Sequence, residues 1–163
     1  MKVGDRISEL YKGLASDSFS EETRSIDRQR IHWMCRRVEG EKVIDIGCSQ
    51  GIVSILLARE GFEVVGADTN IDGIEYANSD RANEPPEVQQ KLTFTRGNIQ
   101  DIDLPANGFD TAIMGEFLEH LVRPDKASMR VNEFMGSEDI SVVTNLFGIQ
   151  KETCILVMQK GRK

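Results

Sequence analysis

Val43-Ile44-Asp45-Ile46-Gly47-Cys48-Ser49-Gln50-Gly51 joins an apolar run to a turn of small residues, and Ile52 to Ala58 continue apolar over helical length. Val43, Ile44 and Ile46 are β-branched and suit a strand buried on both faces of a parallel sheet. Gly47 and Gly51 permit backbone angles and close approaches that a Cβ would forbid. A strand, a glycine-bearing turn and a helix N-terminus make the nucleotide-cradling corner of a doubly wound α/β sheet, with the ligand at the carboxyl end of the strand. The expected fold is therefore α/β with a mostly parallel sheet.

Downstream, Gly61 punctuates the chain and residues 62–67 read as a second strand ending at Asp68. A carboxylate just beyond that tip can accept hydrogen bonds from both ribose hydroxyls of an adenosine; the alternative is a helix cap at a strand end. Residues 71–82 read as a helix carrying Ile71, Ile74 and Ala77, stopped by Pro85 and Pro86. A third strand over 92–95 leads to Gly97-Asn98-Ile99, which offers a side-chain amide and a backbone N–H to an adenine edge or forms an ordinary turn. Residues 104–108 are another turn, and 109–114 a fourth strand. It runs into Gly115-Glu116-Phe117-Leu118-Glu119-His120, where one helical turn would set Glu116, Glu119 and His120 side by side. A helix restarts near Pro124 and runs through Met129, and residues 131–139 connect it to strands over 140–147 and 153–158. Those two strands form an antiparallel pair about a polar turn at 150–152.

Upstream, Val3, Ile7, Leu10, Tyr11 and Leu14 share one helical face. Ser20 with Glu21 and Glu22 reads as the capped, acidic start of a second helix that runs through Ile26, Ile31, Trp33, Met34 and Val38 to Gly40. These helices either cover one end of the core or also form a lid, with Tyr11, Phe19, His32 and Trp33 as lid candidates. At 163 residues and 39% hydrophobic, the chain reads as one domain with a real core. Its parts are N-terminal helices over 1–40, a cofactor-binding core over 41–130 and a C-terminal strand pair over 131–163. The net charge of −7 argues against nucleic acid held by bulk electrostatics, Arg28, Arg30, Arg36 and Arg37 being a local basic exception. Cys35, Cys48 and Cys154 lack CxxC spacing, so neither a disulfide scaffold nor a zinc site is expected, and no metal ligand is assigned. No apolar run approaches membrane-spanning length and Met1 to Leu10 carries no signal-peptide core, so the expectation is a soluble, cytoplasmic protein.

In order and spacing, Asp45-x-Gly47-x-Ser49-x-Gly51, Asp68, Gly97-Asn98 and Phe109-Asp110 followed by Glu116-Phe117-Leu118-Glu119-His120 form a family pattern. The pattern resembles the class I S-adenosylmethionine-dependent methyltransferases, in particular the small-molecule branch of quinone-biosynthesis O-methyltransferases (methyltransferase type 11/12). The resemblance spans roughly residues 40–130. A dinucleotide-binding turn needs G-x-G-x-x-G to bring a helix N-terminus onto a pyrophosphate, whereas here the third small position, Gly51, falls one residue early.

The resemblance implies a Rossmann-like fold and S-adenosyl-L-methionine as cofactor. It implies that Asp45, Gly47, Cys48, Ser49 and Gly51 line the methionine end, Asp68 the ribose, and Asn98 and Ile99 the adenine. Glu116 would touch the cofactor and, with His120, orient or deprotonate a hydroxyl acceptor, His120 being the better base near neutral pH. Glu119 and His120 capping the following helix is the alternative. Ser49 replaces the commoner middle glycine and keeps the turn if its φ stays negative. Cys48 reads as a packed turn residue, since no general base is near it in sequence.

The expected partner is a small-molecule acceptor. One alternative is the metal-dependent 2′-O-methylation of an RNA 3′ end, which uses an E-x-x-E-H segment; here the further histidine it needs is missing from its place, His32 lying upstream. A non-catalytic cofactor-binding or assembly module is the other alternative. The family's sheet has seven strands, but the roughly forty residues after Arg123 hold one helix and two strands, so one central strand-helix unit is expected to be absent. Exposed sheet edges would then suit a second copy of the chain, as in a homodimer.

Overall fold

The computed structural model describes residues 21–115, 124–136, 140–146 and 154–160. Their elements run α1 (Glu21–Cys35), β1 (Lys42–Ile46), α2 (Ile52–Arg59), β2 (Glu63–Asp68), α3 (Ile71–Ala82), α4 (Pro86–Gln89), β3 (Leu92–Arg96), β4 (Thr111–Gly115), α5 (Pro124–Met135), β5 (Ile140–Leu146) and β6 (Cys154–Lys160). β1 is buried along its last four residues because it lies inside the sheet, flanked in parallel by β2 and β4. The strand order is β3-β2-β1-β4-β6-β5, with β6 antiparallel to both of its neighbours.

Alternation along the strands builds two cores. Val43, Val64 and Ile113 point to one face, where Ile31 and Met34 of α1, Ile55 to Ala58 of α2 and Ile74 and Ala77 of α3 cover them. Ile44, Ile46, Ala112, Met114 and Met158 point to the other, against Ala127, Val131, Phe134 and Met135 of α5. The result is a three-layer α/β/α arrangement whose central strands are the most buried, as the apolar run at 43–46 requires. No helix among the described residues is long and apolar enough to cross a membrane.

Asp110 ties the amino-terminal ends of the central strands together. Its Oδ2 accepts the backbone N–H groups of Glu41 (2.9 Å) and Lys42 (3.0 Å). Gly40 must come close to make this contact: a Cβ there would lie 2.4 Å from Asp110 Cβ, and its φ is +83°.

Three elements differ from the sequence reading. α5 continues to Met135 rather than stopping at Met129, because Ala127, Val131, Phe134 and Met135 fall at i, i+4, i+7 and i+8 and form one fully buried stripe. Pro86 does not merely stop the preceding helix; it occupies the first turn of α4, where its missing N–H costs nothing. The C-terminal pair spans 140–146 and 154–160, so its second strand reaches two residues past Met158. The six described strands fit a sheet short of one central strand: β6 bonds directly to β4, with Ile113 opposite Val157, and closes the position between them.

Candidate functional site

The carboxyl ends of β1, β2 and β4 lie level, with Ile46 beside Ala67 on one side and Met114 on the other. The chain leaving β1 is pinned to β2 at once, since the N–H groups of Gly47 and Cys48 both reach the Ala67 carbonyl, at 2.8 and 3.2 Å. It then turns back on itself through Gly51 N–H to Cys48 O (2.8 Å) and enters α2. Gly47 and Gly51 have φ of +75° and +78°, the left-handed region that the sequence assigned to them. Ser49 also has a positive φ, +49°, so the expectation of a negative value there is corrected. A small polar side chain tolerates that region better than a branched one.

Asp68 holds Ser49 in place. Its Oδ2 accepts the Ser49 N–H at 2.8 Å and its Oδ1 accepts the Asn70 N–H at 2.8 Å. The helix cap at this strand end is supplied instead by Asn70, whose side-chain oxygen accepts from Asp72 N–H and Gly73 N–H at the start of α3. Each Asp68 oxygen thus accepts one backbone bond and retains acceptor capacity for a ligand hydroxyl.

Asp45 lies under the turn and is 4% exposed. Its Oδ2 accepts the Ser54 hydroxyl from α2 at 2.6 Å. Burial pushes its carboxyl up to about 6, with the Asp68 charge adding to the rise and the Ser54 hydrogen bond opposing it. Cys48 is buried, and burial with the nearby Asp45 and Asp68 charges raises its thiol far above the ordinary range, which keeps it protonated and matches a packed turn residue.

At the tip of β3, Gly97 N–H donates to the Asp68 carbonyl (2.9 Å), which brings the following loop beside Asp68 and the glycine turn. Asn98 Oδ1 accepts the Gln100 N–H at 3.0 Å in a local turn, while Ile99 is buried and anchors the loop. Glu116, Glu119 and His120 lie outside the described residues, as do Tyr11 and Phe19. β4 ends at Gly115, immediately before Glu116. Of the other lid candidates, Trp33 packs against the α1–α2 core with the Arg37 guanidinium 4.0 Å over its ring, and His32 sits half-buried in the last turn of α1. A cavity of about 260 Å³, lined in part by Lys42, Glu63, Lys91, Leu104 and Phe109, opens at the opposite, amino-terminal end of the strands and is separate from this corner.

Two site residues escaped the sequence reading. Ser54 follows Asp45 by nine positions inside an apolar helix, and a lone polar residue on a buried face was its only signal. Phe94, in β3, puts its ring where side chains on two glycines would go: a Cβ at Gly51 would lie 2.4 Å from Phe94 Cζ and one at Gly66 2.6 Å from Phe94 Cδ1. The turn therefore rests on an aromatic ring and a buried hydroxyl–carboxylate pair.

Asp45 and Asp68 set two carboxylates at this corner, while Arg96 at the β3 tip turns its guanidinium to the Thr69 carbonyl. The carboxylate pair repels the phosphates of a dinucleotide and suits a nucleoside carrying positive charge. Comparison with known proteins agrees with this chemistry. Residues 43–134 match the family model described as a methyltransferase domain. The mitochondrial ubiquinone biosynthesis O-methyltransferase of Schizosaccharomyces pombe is 35% identical over 85 residues, 52% of this chain and 30% of that protein. Glycine N-methyltransferase of Rattus norvegicus is 32% identical over 152 residues, 88% of this chain and 48% of that one. The chain thus spans less than half the length of either relative. Among solved structures, a Methanococcus maripaludis protein assigned as an S-adenosyl-L-methionine-dependent methyltransferase superposes with a TM-score of 0.64 at 17% identity, covering 91% of this chain and 66% of its own, and so shares the fold. The strand order, the glycine turn with Asp68 at the second strand tip and the family match together place this chain in the methyltransferase-domain family.

Proposed function

We propose that this domain binds S-adenosyl-L-methionine at the carboxyl ends of β1 and β2 and methylates a small-molecule acceptor, at a hydroxyl oxygen. The observation that carries the reading is the Asp68 carboxylate, held at the β2 tip by the Ser49 and Asn70 N–H groups and facing the glycine turn. When bound, the cofactor would supply an activated methyl group for transfer to the acceptor. This chain's residues then have three tasks. Asp68 accepts the ribose hydroxyls, the backbone of Gly47, Cys48, Ser49 and Gly51 lies against the amino-acid end above Asp45, and Asn98 with the Ile99 N–H meets the adenine edge. Glu116 and His120 orient the acceptor, and His120 takes its proton.

Hydroxyl oxygen is favoured because the ubiquinone-biosynthesis relatives are named as O-methyltransferases, although the rat relative is named for transfer to nitrogen. Calorimetric titration with S-adenosyl-L-methionine, followed by a product screen with labelled cofactor over phenols, glycine-like amines and RNA ends, tests the reading. Binding that weakens roughly 10–100-fold in Asp68→Ala, the scale of one or two lost charge-assisted hydrogen bonds, is expected. Unchanged affinity in that variant removes the ribose assignment. Absence of binding by the unaltered chain leaves an assembly module as the reading, and transfer only to RNA ends in the presence of a divalent metal selects the metal-dependent alternative.

A further inference from the structure

The Asp45–Ser54 pair is built in a way that ligand contact alone does not require. α2 begins at Gly51, which offers no capping side chain, and its first turn holds no acid. The carboxylate that reaches this helix end comes from β1: Asp45 takes the Ser54 hydroxyl at 2.6 Å. Both residues are buried, so water competes little with the pair.

The groups facing Asp45 come from every element around it. β2 contributes Asp68, the turn contributes Cys48, α1 contributes Cys35 and α2 contributes Ser54. On β4 the register partner is the apolar Ile113. Among the described residues no cation acts on it. A buried carboxylate next to a second carboxylate, with one hydroxyl donor and no cation, has its charged form opposed by burial and by its neighbour and favoured by that hydrogen bond.

We propose that cofactor binding is coupled to deprotonation of Asp45, with Ser54 as the positioning residue that sets the pH at which the coupling acts. This deepens the cofactor reading above and rests on it. Desolvation and the Asp68 charge push Asp45 up to about 6 against the Ser54 hydroxyl's hydrogen bond, so in mildly acid solution the ligand-free site carries a proton there. A cationic ligand in the crevice stabilises the carboxylate, and the proton passes to solvent as the ligand binds. The form that binds is the deprotonated one. Affinity is therefore full above about pH 6 and falls by up to tenfold per pH unit below it. The cofactor's own α-amino group titrates near 8, as α-amino groups do, and so stays protonated through this window.

Titration of S-adenosyl-L-methionine at pH 5.5 and 7.0, each in two buffers of different ionisation enthalpy, counts the protons exchanged. A large fraction of one proton released per cofactor at pH 5.5 and almost none at pH 7.0 is expected. Ser54→Ala removes a donor to the charged form and should move the midpoint of the affinity loss up by about one pH unit. Asp68→Asn removes a like charge and should move it down, even though its affinity is lower throughout. Asp45→Asn should abolish proton release. Zero release at pH 5.5, or a midpoint unmoved by Asp68→Asn, overturns the coupling, and that second variant decides the matter if Ser54→Ala does not fold. Cofactor binding absent at every pH overturns the cofactor reading instead, so the two failures are distinct.

Discussion

Gly51→Ala tests the architecture of the turn most directly. A Cβ at position 51 would lie 2.4 Å from Phe94 Cζ, 2.7 Å from Cε1 and 3.0 Å from Ala77 Cβ, all well inside van der Waals contact. The backbone adds its own cost, because φ at +78° is disfavoured by about 1–2 kcal/mol for a residue with a Cβ. Relieving the overlap means tilting the Phe94 ring or moving α2, and overpacking of this kind costs about 1–3 kcal/mol. The sum is roughly 2–5 kcal/mol, or on the order of 4–20 °C in Tm for a domain of this size. Urea denaturation read by far-UV circular dichroism and by Trp33 fluorescence measures it. Adding Phe94→Leu removes the ring atoms that collide but leaves the φ penalty. The double-mutant cycle should therefore show a favourable coupling of about 1–3 kcal/mol. Costs that add to within about 0.5 kcal/mol would mean that the ring does not support the turn, and the argument from Phe94 would fail.

Three further outcomes are expected. Glu84→Ala should destabilise the fold by roughly 2–4 kcal/mol, because the largely buried Arg59 loses its bonds to both Glu84 oxygens and keeps only the nearby Asp80 charge; a loss below about 1 kcal/mol in urea midpoints would contradict this. In a Cys35→Ser, Cys154→Ser background at pH 8, the buried Cys48 should react with a disulfide reagent only as fast as the domain opens, since burial raises its thiol well above the ordinary range; rapid labelling of folded protein would refute it. Asp110 is partly buried, which opposes its charge, but the Glu41 and Lys42 N–H groups and the Lys160 and Lys42 ammoniums hold its carboxyl below the usual range. Its contribution is present above the unfolded value near 3.9 and is lost as pH falls through the folded one. Asp110→Asn should accordingly flatten the fall of urea midpoints in that acid window, and parallel curves for variant and unaltered chain would count against it.

Residues 43–68 were legible because their signals are local. An apolar β-branched run, glycines at the turn and an acid beyond the next strand each report on backbone geometry within a few residues, and the structure realises all three. The span of α3 was equally readable, from Ile71 to the prolines after it, although its cap by Asn70 was not. The C-terminal half of α5 was not, since the sequence reading followed polar residues past Met129 and missed the buried stripe at 127, 131, 134 and 135. Ser49 was misjudged for a related reason. Its φ answers to Asp68 on another strand, whose carboxylate takes the Ser49 N–H, and a positive value is what that hydrogen bond accompanies.

By itself, then, the sequence determined the family, the strand-turn-helix corner and the two acids that mark it. Tertiary structure alone decided that Phe94 supports Gly51, that Ser54 holds Asp45, and that β6 seals against β4. Phe94 with Gly51 and β6 with β4 join residues far apart in the chain, and Ser54 with Asp45 joins a helix to the strand before it; neither periodicity nor turn chemistry carries that information, and only the packing of strand against strand and helix against sheet brings their atoms together.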